Sequence, residues 1–185
     1  MKPRNLVVLS SLLTLVAFGS GCGRIVGESI GAARGAHGLY APILMVSEDP
    51  EARPLGQYKQ FELGQITDDF GGKVPPDFMM YFTDAFAHQL AEKKLPDEPG
   101  KTLLIRGKIL HYEDASRLGS VISPLEEVVA RIELVDKDSG RVIGVANCIG
   151  RTMESINAGV AKKAEGLAKA IVGWLDKEYP KEGRE

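Results

Sequence analysis

The chain has 185 residues, a formal net charge of −2 and 26% charged side chains, which is the size of one domain. Its mild acidity removes any electrostatic reason to bind nucleic acid. It also offers no polybasic run to anionic lipid.

The first element is a leader. Met1-Lys2-Pro3-Arg4 is a short positive head, and Leu6 to Phe18 is apolar apart from Ser10, Ser11 and Thr14. Gly19-Ser20-Gly21 follow, then Cys22. A charged head, an apolar run of this length and a small-residue exit form a secretory signal peptide. The run is short for a membrane span, which needs about 20 apolar residues. The stretch resembles a bacterial lipoprotein signal, in which the chain is cut between a small residue, here Gly21, and a cysteine, here Cys22. That cysteine is lipidated and becomes the first mature residue. Gly19 departs from the pattern, which usually has a leucine three places before the cysteine. An ordinary secretory signal cut near Gly21, or an uncleaved anchor, would account for the same residues.

The resemblance implies two or three acyl chains of the palmitate kind on Cys22. Each buried CH₂ contributes about 0.8 kcal/mol, and a single chain holds only marginally. By the sorting rule of enteric bacteria, Gly23 at the next position, not being aspartate, implies the outer membrane. Cleavage after Gly21 removes Lys2 and Arg4 and no acid, so the mature charge moves from −2 to −4.

From Cys22 to residue 56 the chain is rich in Gly, Ala and Pro and reads as a lipidated N-terminus followed by a flexible tether. Within it "PILMV", Pro42 to Val46, either docks as an edge strand or covers part of the core. His37 has no metal-like neighbour and reads as solvated.

The domain is expected over 57–180, which is 124 residues and enough for a core without disulfides, with a disordered tail over 181–185. "QYKQFELGQITDD", Gln57 to Asp69, alternates β-branched, aromatic and polar residues as a strand does. Gly71-Gly72 permit a tight turn, and Pro75-Pro76 suit a helix entrance. Phe78, Phe82, Ala85, Phe86, Gln89 and Leu90 then form one helical stripe between Pro76 and Leu95, with Lys93 and Lys94 in the last turn. His88, beside the stripe, reads as a surface or partly buried residue.

Lys101 to Asp114 is a strand with Leu103, Ile105 and Ile109 on one parity and Arg106 and Lys108 on the other. "ASRLGSVISP" is a connection. "LEEVVARIELVDK" is the clearest strand: Val128, Ala130, Ile132 and Leu134 point one way and Glu127, Val129, Arg131 and Glu133 the other, the pattern of a sheet with one wet face. "DKDSGR" turns the chain into "RVIGVANCIGRT", where Gly140 takes the positive φ of a tight hairpin. The last element is a helix with the stripe Ile156, Val160, Ala164, Leu167, Ile171 and Leu175. Gly159, Gly166 and Gly173 recur every seven residues. Each costs about 1 kcal/mol against alanine, so a close packing approach is expected there. Trp174 sits beside the stripe.

The order β-α-β-β-β-α predicts an α+β two-layer sandwich: a mostly antiparallel sheet of about four strands with both helices on one face. "LGQYKQFELGQITDDFGGKVPP", "TLLIRGKILHYEDA", "PLEEVVARIELVDKDSG" and "ANCIGRT" together resemble a family of uncharacterised bacterial lipoproteins carrying a domain of unknown function. That resemblance supplies no catalytic residues. The element order is also similar to the curli-pore lipoprotein and to the amino-terminal domain of the Tol-system propeller protein, a likeness of fold only.

No nucleophile elbow, phosphate loop, H-E-x-x-H or CxxC pair is present, so no catalytic residue, metal site or cofactor is assigned. His111 and Glu113, two apart on a strand, form the best polar cluster, but a metal needs further ligands. Asp136-Lys137-Asp138-Ser139-Gly140 superficially resembles a calcium loop yet lacks its closing glutamate; turn chemistry explains it. Asp68-Asp69 and Glu126-Glu127 are adjacent pairs and point oppositely on a strand. Cys148, in the apolar run "VIGVANCIG", reads as a buried small hydrophobe. The expected function is a membrane-anchored envelope lipoprotein, facing the periplasm, whose domain is a non-enzymatic binding or assembly module. Its expected partners are the bilayer, through Cys22, and an envelope protein. The alternative is a small-molecule or lipid-binding domain with an apolar gap between sheet and helices.

Overall fold

Alternating apolar residues place the strands, and two helical stripes cover them. A computed structural model describes residues 36–47, 53–69, 71–113, 126–152 and 159–181, all within the unit Gly35–Glu185. The signal segment, Cys22, the connection 114–125, Ile156 and residues 182–185 lie outside the described residues. The elements are β1 (Ala36–Met45), β2 (Gln60–Asp68), α1 (Phe78–Glu92), β3 (Thr102–Tyr112), β4 (Glu126–Asp136), β5 (Val142–Thr152) and α2 (Gly159–Glu178).

The fold is α+β. Its five strands form one sheet in the order β1-β5-β4-β3-β2. The pairs β1–β5, β5–β4 and β4–β3 are antiparallel, while β2 and β3 run parallel. The parallel pair follows from α1, since a helix joining two neighbouring strands returns the chain in the same direction. The sheet has one strand more than the four expected. Ala36–Met45, inside the stretch read as tether, pairs along β5 from Ala36↔Thr152 to Met45↔Gly144. "PILMV" is therefore the second half of an edge strand that begins earlier.

The core lies between the sheet and the two helices. Leu103, Ile105, Val128, Ala130, Ile132 and Leu134 are fully buried on one face. From above, α1 contributes Phe78, Phe82 and Phe86, and α2 contributes Leu167, Ile171, Trp174 and Leu175. Phe78 meets Tyr112 of β3 edge to face at 5.8 Å and stacks with Phe82 at 6.2 Å.

Over β1 and β5 the packing is of another kind. A Cβ on Gly38 would lie 2.2 Å from the Ala170 backbone nitrogen, and one on Gly150 would lie 2.4 Å from that of Leu167. One on Gly166 would lie 2.6 Å from the His37 carbonyl oxygen. The helix backbone rests directly on the strand backbones there. Of the three evenly spaced glycines, Gly166 makes this approach, whereas Gly173 has only ordinary contact with Tyr40 at 3.8 Å.

α1 ends at Glu92, so Lys93 and Lys94 fall just beyond the last turn rather than in it. Lys94 takes φ 51°. The Lys94 N–H donates to the Ala91 carbonyl and the Leu95 N–H to that of Leu90. This is the left-handed helix stop that normally uses glycine.

Candidate functional site

β3 carries a bulge between Ile109 and His111. The extra residue reverses the alternation. Ile109 faces the helices, then Tyr112 does, and His111 is moved to the opposite, open face, in register with Val129. Glu113 follows the strand end, and its backbone is engaged: its N–H donates to the Glu127 carbonyl at 2.9 Å and its carbonyl accepts from Lys163 Nζ at 2.6 Å. Among the described residues no group of three or more His, Cys, Asp or Glu is placed to hold a metal ion. His88 is on the surface, 3.9 Å from Glu92.

Buried charge gathers at two places that sequence reading missed. Asp136 is almost fully buried at the end of β4. Its Oδ2 accepts from Lys101 Nζ at 2.7 Å and from the Tyr58 hydroxyl at 3.0 Å. Its Oδ1 accepts from the Ser139 N–H and hydroxyl, each at 2.9 Å. Lys101 and the Ser139 N–H hold this carboxyl far below the usual aspartate range, against the effect of burial. Burial and the hydrogen bond to Asp136 push the Tyr58 hydroxyl well up. The turn reading of 136–140 holds, with Gly140 at φ 69°, and Asp136 also pins the hairpin to Tyr58 and Lys101. Nothing in the spacing of Tyr58, Lys101 and Asp136 signals that pairing, because the sheet brings them together.

The second place is Lys163 on α2, also buried. Its ammonium lies 4.3 Å over the Tyr112 ring, where a cation is favoured by the ring's negative face. With its bond to Glu113 it ties the start of α2 to the end of β3. Both clusters have their charges met by neighbours and serve as fasteners.

A groove of about 510 Å³ opens between α1 and α2, lined by Tyr81, Asp84, His88, Glu92, Glu165 and Lys169, among others. Burial opposes ionisation of Glu165, but the bonds from Lys169 and Lys162 more than offset it and keep its carboxyl below the usual range. The groove lies between the helices. Between helices and sheet, where the alternative reading put an apolar gap, the described residues form one cluster of buried side chains.

Cys148 is fully buried, and desolvation pushes its thiol up to about 12, so it packs as a hydrophobe as the sequence indicates. No helix among the described residues is long and apolar enough to cross a membrane.

The open face of the sheet divides in two. Toward β2 it is laced with ion pairs: Arg106–Glu133 at 2.9 Å, Lys108–Asp69 at 3.2 Å, and Lys137 with Glu62. Toward β1 it turns apolar. Leu39, Ile149 and Val129 share one register row, and Leu44 and Val145 share another, which Glu133 continues on β4. Leu39, Ile43, Leu44 and Val46 are 50%, 57%, 45% and 37% exposed.

No protein-family model matches the chain, and no curated protein matches it. Several solved structures are similar to it. The PelC dodecamer from Paraburkholderia phytofirmans is 14% identical, with 73% of this chain and 96% of that chain covered and a TM-score of 0.43. A minor lipoprotein from Acinetobacter baumannii is 13% identical, with 65% and 94% covered and a TM-score of 0.43. A Xanthomonas campestris protein of the family DUF330, a domain of unknown function, is 13% identical, with 76% and 95% covered and a TM-score of 0.47.

Proposed function

We propose that this chain is a bacterial envelope lipoprotein, cut between Gly21 and Cys22 and held by acyl chains on Cys22. In this reading its α+β domain works in the periplasm as a non-enzymatic binding or assembly module. The observation that carries the reading is the positive head, the apolar run Leu6 to Phe18 and the small residues that end on Cys22. Gly23 directs the anchor to the outer membrane by the sorting rule above. The assignment of a module rather than an enzyme is supported by how the domain uses its buried charges. Asp136 and Lys163 are tied into hairpin and helix contacts, and Cys148 is a protonated thiol in the core. The partners are the bilayer and an envelope protein, with no nucleic acid among them.

Cells fed a clickable palmitate will mark the wild-type protein and leave a Cys22→Ser variant unmarked. A wild-type protein that is unmarked, soluble and still begins at Met1 refutes the anchor. Crosslinking in living cells followed by solubilisation in detergent will return a specific envelope protein. The second reading, a small-molecule site, is favoured by the groove between α1 and α2. Native mass spectrometry of protein taken from membranes decides it, since an adduct of constant mass is expected there and a clean apo mass counts against it.

A further inference from the structure

The two edges of the sheet differ in a way that core packing does not require. β2 carries Glu62 and Asp68 and is flanked by ion pairs, the usual protection of an edge strand. β1, Ala36–Met45, carries no Asp, Glu, Lys or Arg, and four large apolar side chains on or just after it stand in solvent. A contiguous apolar surface on a monomer marks a contact site.

Strand addition is a poor use of this edge. Pro42, in its middle, has no N–H to donate, and the register slips between Pro42 and Leu44. The side chains rather than the backbone are therefore what the strand presents.

We infer that the apolar open face along β1, formed by Leu39, Leu44 and Val46 with Ile149 and Val129 beside them and the exposed Ile43 at the bulge, docks on the surface of a phospholipid bilayer. Two observations select that occupant. Ala36 lies fourteen positions after Cys22, a reach of at most about 50 Å for extended chain, so the anchor leads straight into this strand and keeps it near lipid. Charge is also complementary. Between the two apolar rows lie Ala41, Asn147 and Arg131, and among the described residues Arg131 meets no carboxylate; its Nε donates to Asn147 Oδ1 at 3.2 Å. The nearby acids Glu133 and Glu127 are each held by an arginine, Arg106 and Arg151. An apolar strip with a cation free for phosphate is what an interfacial surface needs.

The inference rests on the lipid anchor proposed above, and its test separates the two. Cys148 is shielded from thiol reagents by burial, so an environment-sensitive maleimide dye placed on Ile43→Cys or on Met80→Cys of the lipidated protein reports one site. Met80 is an equally exposed apolar residue on α1. In vesicles of phosphatidylethanolamine and phosphatidylglycerol containing doxyl lipid, the dye at 43 will be quenched at least about threefold more than the dye at 80. Adding Leu44→Asp will remove that difference. Equal quenching at the two sites in palmitate-labelled protein overturns the docking and leaves the anchor standing. Protein that takes up no palmitate overturns both. Disulfide crosslinking of Ile43→Cys between two chains at full yield assigns the strip to a second copy and also overturns the docking.

Discussion

The β1–β5 half of the sheet and the β2–β3 half meet the helical layer by opposite means. Over β1 and β5, Gly38, Gly150 and Gly166 let α2 lie backbone on backbone. Over β3, the rings of Phe78 and Tyr112 keep α1 at aromatic distance. Their open faces differ in the same sense, apolar toward β1 and ion-paired toward β2. Where backbones touch, nothing can adjust, because neither side has a rotamer to change. Where rings interdigitate, side chains can repack.

The largest expected effect breaks the glycine half. Gly150→Ala puts a Cβ 2.4 Å from the Leu167 nitrogen and should cost about 3 kcal/mol, read as a lowered urea midpoint with far-UV dichroism as the probe. Phe82→Leu, which removes three carbons from the ring-packed half where Gly150→Ala adds one, should cost only about 1 kcal/mol. The reverse order would refute the contrast.

Asp136→Asn tests the charged fastener beyond the rings. It should cost about 2 kcal/mol at pH 7. The native carboxyl titrates below its unfolded value, so the unfolded chain binds the proton first, and the stability this group confers is present above about pH 4. It is lost as pH falls from there through the folded value. The gap between wild type and Asp136→Asn should therefore narrow steadily below pH 4, and urea midpoints at pH 7 and pH 3 would show it. A gap that widens in acid would contradict the assignment.

The smallest effect belongs to the ion-paired open face. Arg106→Gln breaks the pair with Glu133, whose side chains are 48% and 36% exposed, and should cost under about 0.5 kcal/mol, vanishing in high salt.

Legibility in the sequence followed the range of the interaction. The stripe from Phe78 to Leu90 and the alternation from Val128 to Leu134 are local, and their buried members are the ones expected. The turn at Gly140 was readable for the same reason. Which face His111 takes was not legible, because a one-residue bulge leaves no mark in composition and reverses the alternation that follows it. β1 was hidden inside a Gly- and Ala-rich stretch that looked like linker, since the reason for Gly38 is the helix that lies on it, some 130 residues further along the chain. The polar cluster of Tyr58, Lys101 and Asp136 was invisible because its members are far apart in sequence.

By itself the sequence determined the α+β class, both helical stripes, the wet and dry parities of β4 and the burial of Cys148. Periodicity is imposed by backbone geometry and can be read one segment at a time. Tertiary structure alone decided that β2 pairs parallel with β3, that residues 36–45 close the far edge, and that one half of the open face is left apolar. Those outcomes depend on which distant backbones can touch, a question of space that no local pattern encodes.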